Sequence, residues 1–338
     1  MSIWGRLAAS SMCLLSIMEL ISGGVGAYDL SIGDKLSANL SLENTAIFAY
    51  SADTHGNCHD RLRADLDLQQ KNFSALLLKL VLDNTTDYAR TTNNLHNNSS
   101  IYRAYIQSRA AKHLWSLGKQ RIPLGVGRVW NPIDIFNPID NQQIEPDERT
   151  GTESIRYEYA INELSNLDAT IAKDQAALRI KGYLDSADVA LVGLWDESSE
   201  RDIFGWELEG ELLDSGIELR TEGGSFGNHG TDERSTQFIL GAEYGFTNSL
   251  NLLAEYKFSD DGTDDYLALM TSYQPQVLWS CRLLLVTNLA DASYFVAPTL
   301  EYSLSDEMTL SAGAFIYSSD GEFASQEDRY YLTWFAHF

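Results

Sequence analysis

The chain has 338 residues and carries 48 acidic against 24 basic side chains, a formal net charge of −24. This balance repels polyanions and therefore excludes a nucleic-acid partner. With 11% aromatic residues and only six prolines, the composition also differs from that of a disordered chain.

Residues 1–27 have the pattern of a secretory signal peptide. Arg6 precedes an apolar stretch around Met12–Met18, and the segment ends on the small residues Val25-Gly26-Ala27. The pattern predicts export across the inner membrane followed by cleavage. No later stretch has the roughly 18 consecutive apolar residues of a membrane helix, so we expect no helical span.

From Leu36 onward the chain is built of blocks of about ten residues in which apolar and polar side chains alternate. The first block is Leu36–Tyr50, and a later one runs from Phe238 to Phe246. Period-two alternation predicts strands, and aromatic residues at the block ends are typical of strands that face lipid. The predicted fold is all-β: a transmembrane antiparallel up-and-down β-barrel with a water-filled lumen. It has 18 strands, with 16 as the second choice.

The connections between the blocks alternate in length, as extracellular loops and periplasmic turns do in such barrels. The long ones are predicted at 51–60, 83–100, 125–152, 224–235 and 318–327, and the short connection at 174–175 is the one exception to the rhythm. Residues 28–338 are therefore expected to form a single barrel. The connection at 125–152 is either extracellular or folded into the lumen.

Charged side chains occupy the face of the strands opposite the apolar one, which is the face toward the lumen. The first half of the chain supplies a basic wall, and the second half an acidic wall. The basic wall comprises Arg61, Arg63, Arg103, Arg109, Lys119, Arg121, Arg156, Arg179 and Lys181. The acidic wall comprises Glu207, Glu209, Glu211, Glu218, Glu222, Glu243, Glu255 and Glu301. A dry core could not hold so many ions, so the lumen is expected to be wet. The opposed walls either set up a transverse field across a pore or pair with each other and seal it.

The segment GKQRIPLGVGRVWNPIDIFNPID, residues 118–140, contains a proline, two nearby glycines and two Asn-Pro pairs, which favour turns. It opens the connection at 125–152, which we interpret as a constriction loop. Trp130 and Phe136 would be its apolar anchors, and its carboxylates would face the basic wall: Asp134, Asp140, Glu145, Asp147 and Glu148. The alternative is an external lid.

The sequence RYYLTWFAHF, residues 329–338, alternates as the last strand. An exposed edge strand is usually blunted by charge or proline, and this one is apolar on one face. We therefore expect it to pair with the first strand of a closed barrel.

This stretch resembles the C-terminal recognition signal of Gram-negative outer-membrane proteins at Tyr330, Leu332, Trp334 and Phe338. The connection at 125–152 resembles the third loop of general porins in position and length, and GKQRI…WNP…FNP resembles a segment of several porin-like outer-membrane families. The resemblance implies residence in the outer membrane among lipid and lipopolysaccharide, transient contact with the outer-membrane assembly machinery, and a homotrimer.

The expected function is passive diffusion of small hydrophilic solutes or ions through the barrel. The alternative is a structural barrel that sheathes or docks a partner, such as an electron-transfer protein or an exported polymer. We expect no enzyme, because the sequence has no nucleophile elbow and no HExxH motif, although a triad assembled from distant strands stays open. No cofactor or metal is expected, since the cluster at His55, Cys58 and His59 has too few ligands for structural zinc.

Overall fold

The computed structural model describes residues 28–338 apart from 33–35, 53–55, 71–74, 185, 231–232, 261 and 263. For residues 28–32 only the backbone is described. The predicted signal peptide, residues 1–27, lies outside the described residues.

The described residues form one antiparallel sheet of nineteen strands. The strands are β1 (Tyr28–Ile32), β2 (Leu36–Tyr50), β3 (Asn57–Gln70), β4 (Ala75–Ala89), β5 (Asn94–Ala110), β6 (His113–Gln120), β7 (Thr152–Ala160), β8 (Asn166–Ala172), β9 (Gln175–Leu184), β10 (Ala187–Asp196), β11 (Arg201–Glu211), β12 (Ile217–Asn228), β13 (Arg234–Gly245), β14 (Leu250–Ser259), β15 (Tyr266–Gln276), β16 (Trp279–Asn288), β17 (Tyr294–Ser305), β18 (Met308–Tyr317) and β19 (Arg329–His337). A short 3-10 helix, Glu322–Ser325, precedes β19.

The sheet closes because the last strand pairs with the first long one. β19 pairs with β2 from Tyr330 opposite Tyr50 to His337 opposite Glu43, and the Phe338 amide donates to the Leu42 carbonyl at 2.8 Å. β1 pairs with β2 over Leu36–Leu40, beyond the end of β19. The closed ring is therefore β2–β19, and the predicted count of 18 strands is confirmed. The apolar final strand has no free edge to protect.

The outer surface of the ring is apolar. Leu178, Leu191 and Phe204 expose 49%, 56% and 62% of their surface, whereas Arg179 and Glu207 of the same strands point inward and bond to each other. Tyr330 and Leu332 lie on this outer surface as well, exposed by 50% and 42%. The arrangement inverts that of a soluble domain and suits strands surrounded by lipid. Among the described residues, no helix is long and apolar enough to cross a membrane.

The connection predicted at 83–100 is wrong. β4 and β5 continue as a paired hairpin as far as the turn at residues 90–93. Their outward side chains there are polar, and the Asn84 amide donates to Asn97 Oδ1 at 3.2 Å and to Ser99 Oγ at 2.8 Å. These cross-strand bonds stabilise a ladder without an apolar face, which the hydrophobic pattern could not reveal. The turn between β8 and β9, at residues 173–174, is short as expected.

The segment between β6 and β7, residues 121–151, folds into the barrel; we call it the inner loop. Its buried side chains Ile122, Leu124, Ile133 and Phe136 pack against inward residues of β9–β12. Val129 packs against inward residues of β14–β18. Of the two arrangements considered for this connection, the chain therefore adopts the infolded one.

Candidate constriction of the lumen

Three glutamates of the acidic wall hold the first half of the inner loop by its backbone. Six consecutive amides, from Gly125 to Trp130, donate to their carboxylates. Gly125 N donates to Glu207 at 3.1 Å, while Val126 N and Gly127 N donate to Glu222, the latter at 2.9 Å. The amides of residues 128–130 donate to Glu255 at 2.8–3.1 Å. Carboxylates thus replace the strand partners that this backbone lacks.

The two glycines of the segment permit this close approach. A Cβ on Gly125, whose φ is +82°, would lie 2.4 Å from Glu222 Oε2. A Cβ on Gly127 would lie 1.8 Å from the carbonyl oxygen of Trp130. Both distances are far below van der Waals contact. Gly125 therefore permits the approach to Glu222, and Gly127 permits the tight turn of the loop against Trp130.

The prediction that the acidic wall lines a water-filled lumen is wrong for three of its glutamates. Glu222 and Glu255 are 0% exposed and Glu207 only 3%, because the inner loop covers them. Glu207 also accepts a hydrogen bond from Arg179 of the basic wall. The three carboxylates therefore position the loop instead of lining the free part of the lumen.

Two arginines of β3 hold the second half of the inner loop by its side chains. Arg61 donates to both carboxylate oxygens of Glu145 at 2.9 and 3.0 Å. Arg63 donates to both oxygens of Glu148 at 2.9 and 3.1 Å, and also to Asp83 of β4. Paired donors of this kind are the strong form of the ion pair. Burial opposes ionisation of Glu148, but hydrogen bonds from Arg63 and the charge of Arg61 outweigh it and lower its pKa.

The middle of the inner loop is tied together by its own polar residues. Asn137 accepts from Ile122 N at 3.0 Å and donates to Thr150 O at 2.6 Å, so it joins the two ends of the loop. Asn131 donates to Gly127 O at 3.1 Å and to Glu222 at 3.2 Å. The sequence indicated these asparagines only as turn formers through the following prolines. Their role as ties depends on the path of the loop.

Two predicted loop carboxylates do not face the basic wall of the barrel. Asp134 accepts from the amides of Phe136 and Asn137 and lies 3.4 Å from Arg149 of the same loop. Because Asp134 is buried, its pKa is raised to about 6. Asp140 accepts from Gln142 N and the Gln143 side chain, both at 3.0 Å. Both residues cap local turns, which short aspartates do well.

Acidic and basic side chains are less separated between the two walls than predicted. The basic half also presents inward carboxylates, and they pair with its bases: Lys79 with Asp65 at 2.7 Å, Arg156 with Asp168 at 2.6 Å, and Lys181 with Asp188 at 2.5 Å. In the acidic half, the buried Arg220 donates to three glutamates: Glu209, Glu218 and Glu243. The alternation pattern did contain these aspartates at inward positions. Each wall therefore carries charges of both signs.

Lys119 lies on the outer face, contrary to the prediction. It shares the outward side of β6 with Trp115 and Leu117, which are 53% and 55% exposed, and its Nζ donates to the Ile101 carbonyl at 2.6 Å. Lys119 is next to the last residue of β6. At the end of a strand, a lysine stem can lie along apolar surface while its amine reaches a polar group.

The other predicted residues lie as follows. Trp130 packs against Tyr266, with ring centroids 6.1 Å apart, and the Arg103 guanidinium lies 5.0 Å from the ring of Tyr102. Arg121 and Asp147 interact electrostatically with Arg149 of the inner loop.

Arg109 lines a cavity at the end of the barrel that carries the short turns. At the same end, Glu211 accepts from Gly216 N at 2.7 Å. Glu301 lies 4.0 Å from Arg282. Of the terminal strand, Trp334 lies opposite Ala46 of β2.

The candidate metal ligands are not brought together. His59 Nδ1 lies 2.6 Å from Asp87 Oδ1, Cys58 is a free thiol, and His55 lies outside the described residues. Within the described ranges no group of three or more potential ligands could hold a metal ion.

The fold is shared with solved bacterial barrels. Pseudomonas aeruginosa OccK5 superposes with a TM-score of 0.63 at 10% identity, over 89% of this chain and 97% of that one. Acinetobacter baumannii OccAB2 gives 0.62 at 7% identity, over 89% and 98%. A triple mutant of the Rhodopseudomonas blastica porin gives 0.53 at 12% identity, over 89% and 100%. No family model and no curated protein sequence matches the chain. At these identities the likeness establishes the barrel architecture.

Proposed function

We propose that the chain is an outer-membrane channel for passive diffusion of small hydrophilic solutes or ions. The observation that carries the proposal is the inner loop, which is fixed across the lumen by both walls while polar cavities remain in the barrel. One cavity, of about 310 Å³, lies between residues 144–148 and β16–β19. Another, of about 370 Å³, lies at the end with the short turns and is lined by Arg109, Glu158, Lys181 and Asp188. A barrel narrowed in this way, with wet polar surfaces left over, suits selective diffusion.

The remaining parts of the proposal follow from the sequence patterns and the shared fold. The chain is exported by a cleaved signal peptide, is inserted by the assembly machinery that reads Tyr330, Leu332, Trp334 and Phe338, and lies among lipid and lipopolysaccharide. Homotrimers and the absence of enzymatic activity belong to the same proposal. The structural barrel that sheathes a partner is not favoured, because the inner loop occupies the space such a partner would need.

The test is single-channel recording of the refolded chain, residues 28–338, in a planar bilayer under a KCl gradient. Uniform current steps are the expected result, and the reversal potential reports which ion the remaining charges favour. A folded, heat-modifiable barrel that gives no current at any voltage would overturn the proposed channel.

A further inference from the structure

The cavity beside the second half of the inner loop has a wall rich in hydroxyl groups. We call this wall the hydroxyl patch: Thr45, Thr299, Thr309, Ser311, Tyr331 and Thr333. The residues come from four adjacent strands of the closed ring, and Ser311 lies directly opposite Thr333 in the register of β18 and β19. The patch is therefore a continuous surface instead of a scatter of single side chains.

Half of the patch makes no side-chain hydrogen bond among the described residues. Thr299 Oγ1 and Tyr331 OH bond to each other at 2.9 Å, and Thr45 Oγ1 accepts from Arg61 at 3.1 Å. Thr309, Ser311 and Thr333 make no side-chain hydrogen bond to any residue that the structure describes, and Thr333 Oγ1 is fully buried. Buried polar groups are nearly always hydrogen-bonded, so the orphaned Thr333 hydroxyl indicates that a partner is missing. The half-buried Thr309 and Ser311 hydroxyls are open to water or to a solute.

Four of the five charged residues around this cavity are in ion pairs. Glu145 and Glu148 of the inner loop are held by Arg61 and Arg63. Arg282 and Glu301 on the barrel side face each other at 4.0 Å. Asp147 is exposed and interacts electrostatically with Arg149. An ion entering here meets paired charges, whereas a hydroxylated solute meets groups that both donate and accept hydrogen bonds.

We infer that the cavity holds an uncharged polyhydroxylated solute, a sugar or polyol, during its passage. The inference rests on the proposed channel function and deepens it by naming the solute class. The hydroxyl patch contacts the hydroxyls of the solute, and the Arg282–Glu301 pair supplies one donor group and one acceptor group to neighbouring hydroxyls. A cavity of about 310 Å³ falls in the size range of small-molecule sites.

The experiment measures block of the KCl current by three molecules of similar size: glucose, gluconate and glucosamine. Glucose is expected to block at the lowest concentration. Liposome swelling with the same three molecules shows whether the blocker also crosses, and glucose is expected to enter fastest.

The test variant is the triple substitution Thr309→Val, Ser311→Ala and Thr333→Val, which removes the three unpartnered hydroxyls and nearly preserves volume. It is expected to raise the half-blocking concentration of glucose about tenfold through the lost hydrogen bonds. The matched control is Thr85→Val, on the lumen side of β4, which should leave glucose block unchanged. The single variant Ser311→Ala, expected to raise that concentration about threefold, serves if the triple variant does not fold.

The outcomes separate this inference from the channel proposal. If the native chain carries no KCl current, the channel proposal fails and the inference fails with it. If the native chain conducts but gluconate or glucosamine blocks better than glucose, the channel stands and the inference is overturned. A tested variant with unaltered glucose block also overturns it.

Discussion

The two halves of the inner loop are held to the barrel by opposite chemistry. From Gly125 to Trp130 the loop offers backbone amides and the wall supplies carboxylates. From Glu145 to Glu148 the loop offers carboxylates and the wall supplies arginines. The first attachment therefore depends on glutamate side chains of the wall and on glycines in the loop. The second depends on side chains of both the loop and the wall. Substitutions can release the two halves separately.

Deletion of residues 129–148 removes the whole second attachment and the last two amides of the first, and it should have the largest effect. The single-channel conductance in KCl is expected to rise severalfold, because the cross-section of the lumen is freed. Shortening the hairpin turn at 90–93, which lies outside the lumen, is the control and should leave conductance unchanged. Equal conductance of the deleted and native chains would contradict the position of the loop.

Glu255→Ala should release the first half of the loop. Three amides lose their acceptor, and each donor left unsatisfied in a buried position costs about 1–3 kcal/mol, so the segment is expected to leave the wall. Glu255→Gln keeps one carbonyl oxygen for these amides and is the matched control. The measurements are open-channel noise and the temperature at which the barrel unfolds on heating. Identical behaviour of the two variants would contradict the backbone attachment.

Replacing Glu145 and Glu148 by glutamine should release the second half of the loop. The expected change in conductance and noise is smaller than that of Glu255→Ala. Hydrogen bonds to charged groups contribute about 1.5–3 kcal/mol each, and Arg61 and Arg63 keep Thr45 and Asp83 as partners. Conductance is expected to rise modestly and its noise to increase. Asp147→Asn, an exposed carboxylate between the two, is the control. If the double variant has the same conductance and noise as Asp147→Asn, the ion pairs of Glu145 and Glu148 do not hold the loop.

The smallest expected effect is a pH dependence from Asp134, between the two attachments. Its pKa of about 6 exceeds the value of about 3.9 in an unfolded chain, so the folded loop binds the extra proton between these values. Its stabilising contribution is complete below about pH 4 and is lost as the pH rises through about 6. Open-channel noise should therefore grow from pH 5 to pH 7.5, and Asp134→Asn should abolish the change. Asp140→Asn is the control, and a native channel with flat noise would contradict the assignment.

The sequence specified the strands well because period-two alternation is a local property. β2 begins at Leu36 and ends at Tyr50 in both the prediction and the structure, and the closure by β19 follows from its apolar face. The sequence did not predict the outward position of Lys119, because a charged residue at the end of a strand can face outward. Nor did it predict the part of the β4–β5 hairpin beyond Asn84, because that ladder has no apolar face.

The interior was harder to predict because its contacts are not local. Alternation placed Glu222 and Glu255 on the lumen side, but their burial depends on where the inner loop runs. Residues 125–130 are about 95 and 125 positions away from these glutamates in the chain. Gly125 and Gly127 were the local sign of a close approach by another group. The sequence could not show that carboxylates make this approach.

Hydrogen exchange of the backbone amides from residue 125 to residue 130, measured by mass spectrometry on the folded barrel in detergent, shows whether the glutamates hold the inner loop in the lumen. Slow exchange is expected there, since all six amides donate to buried carboxylates, and fast exchange is expected in the exposed turn at 90–93. If residues 125–130 exchange as fast as the turn, the loop is not held in the lumen.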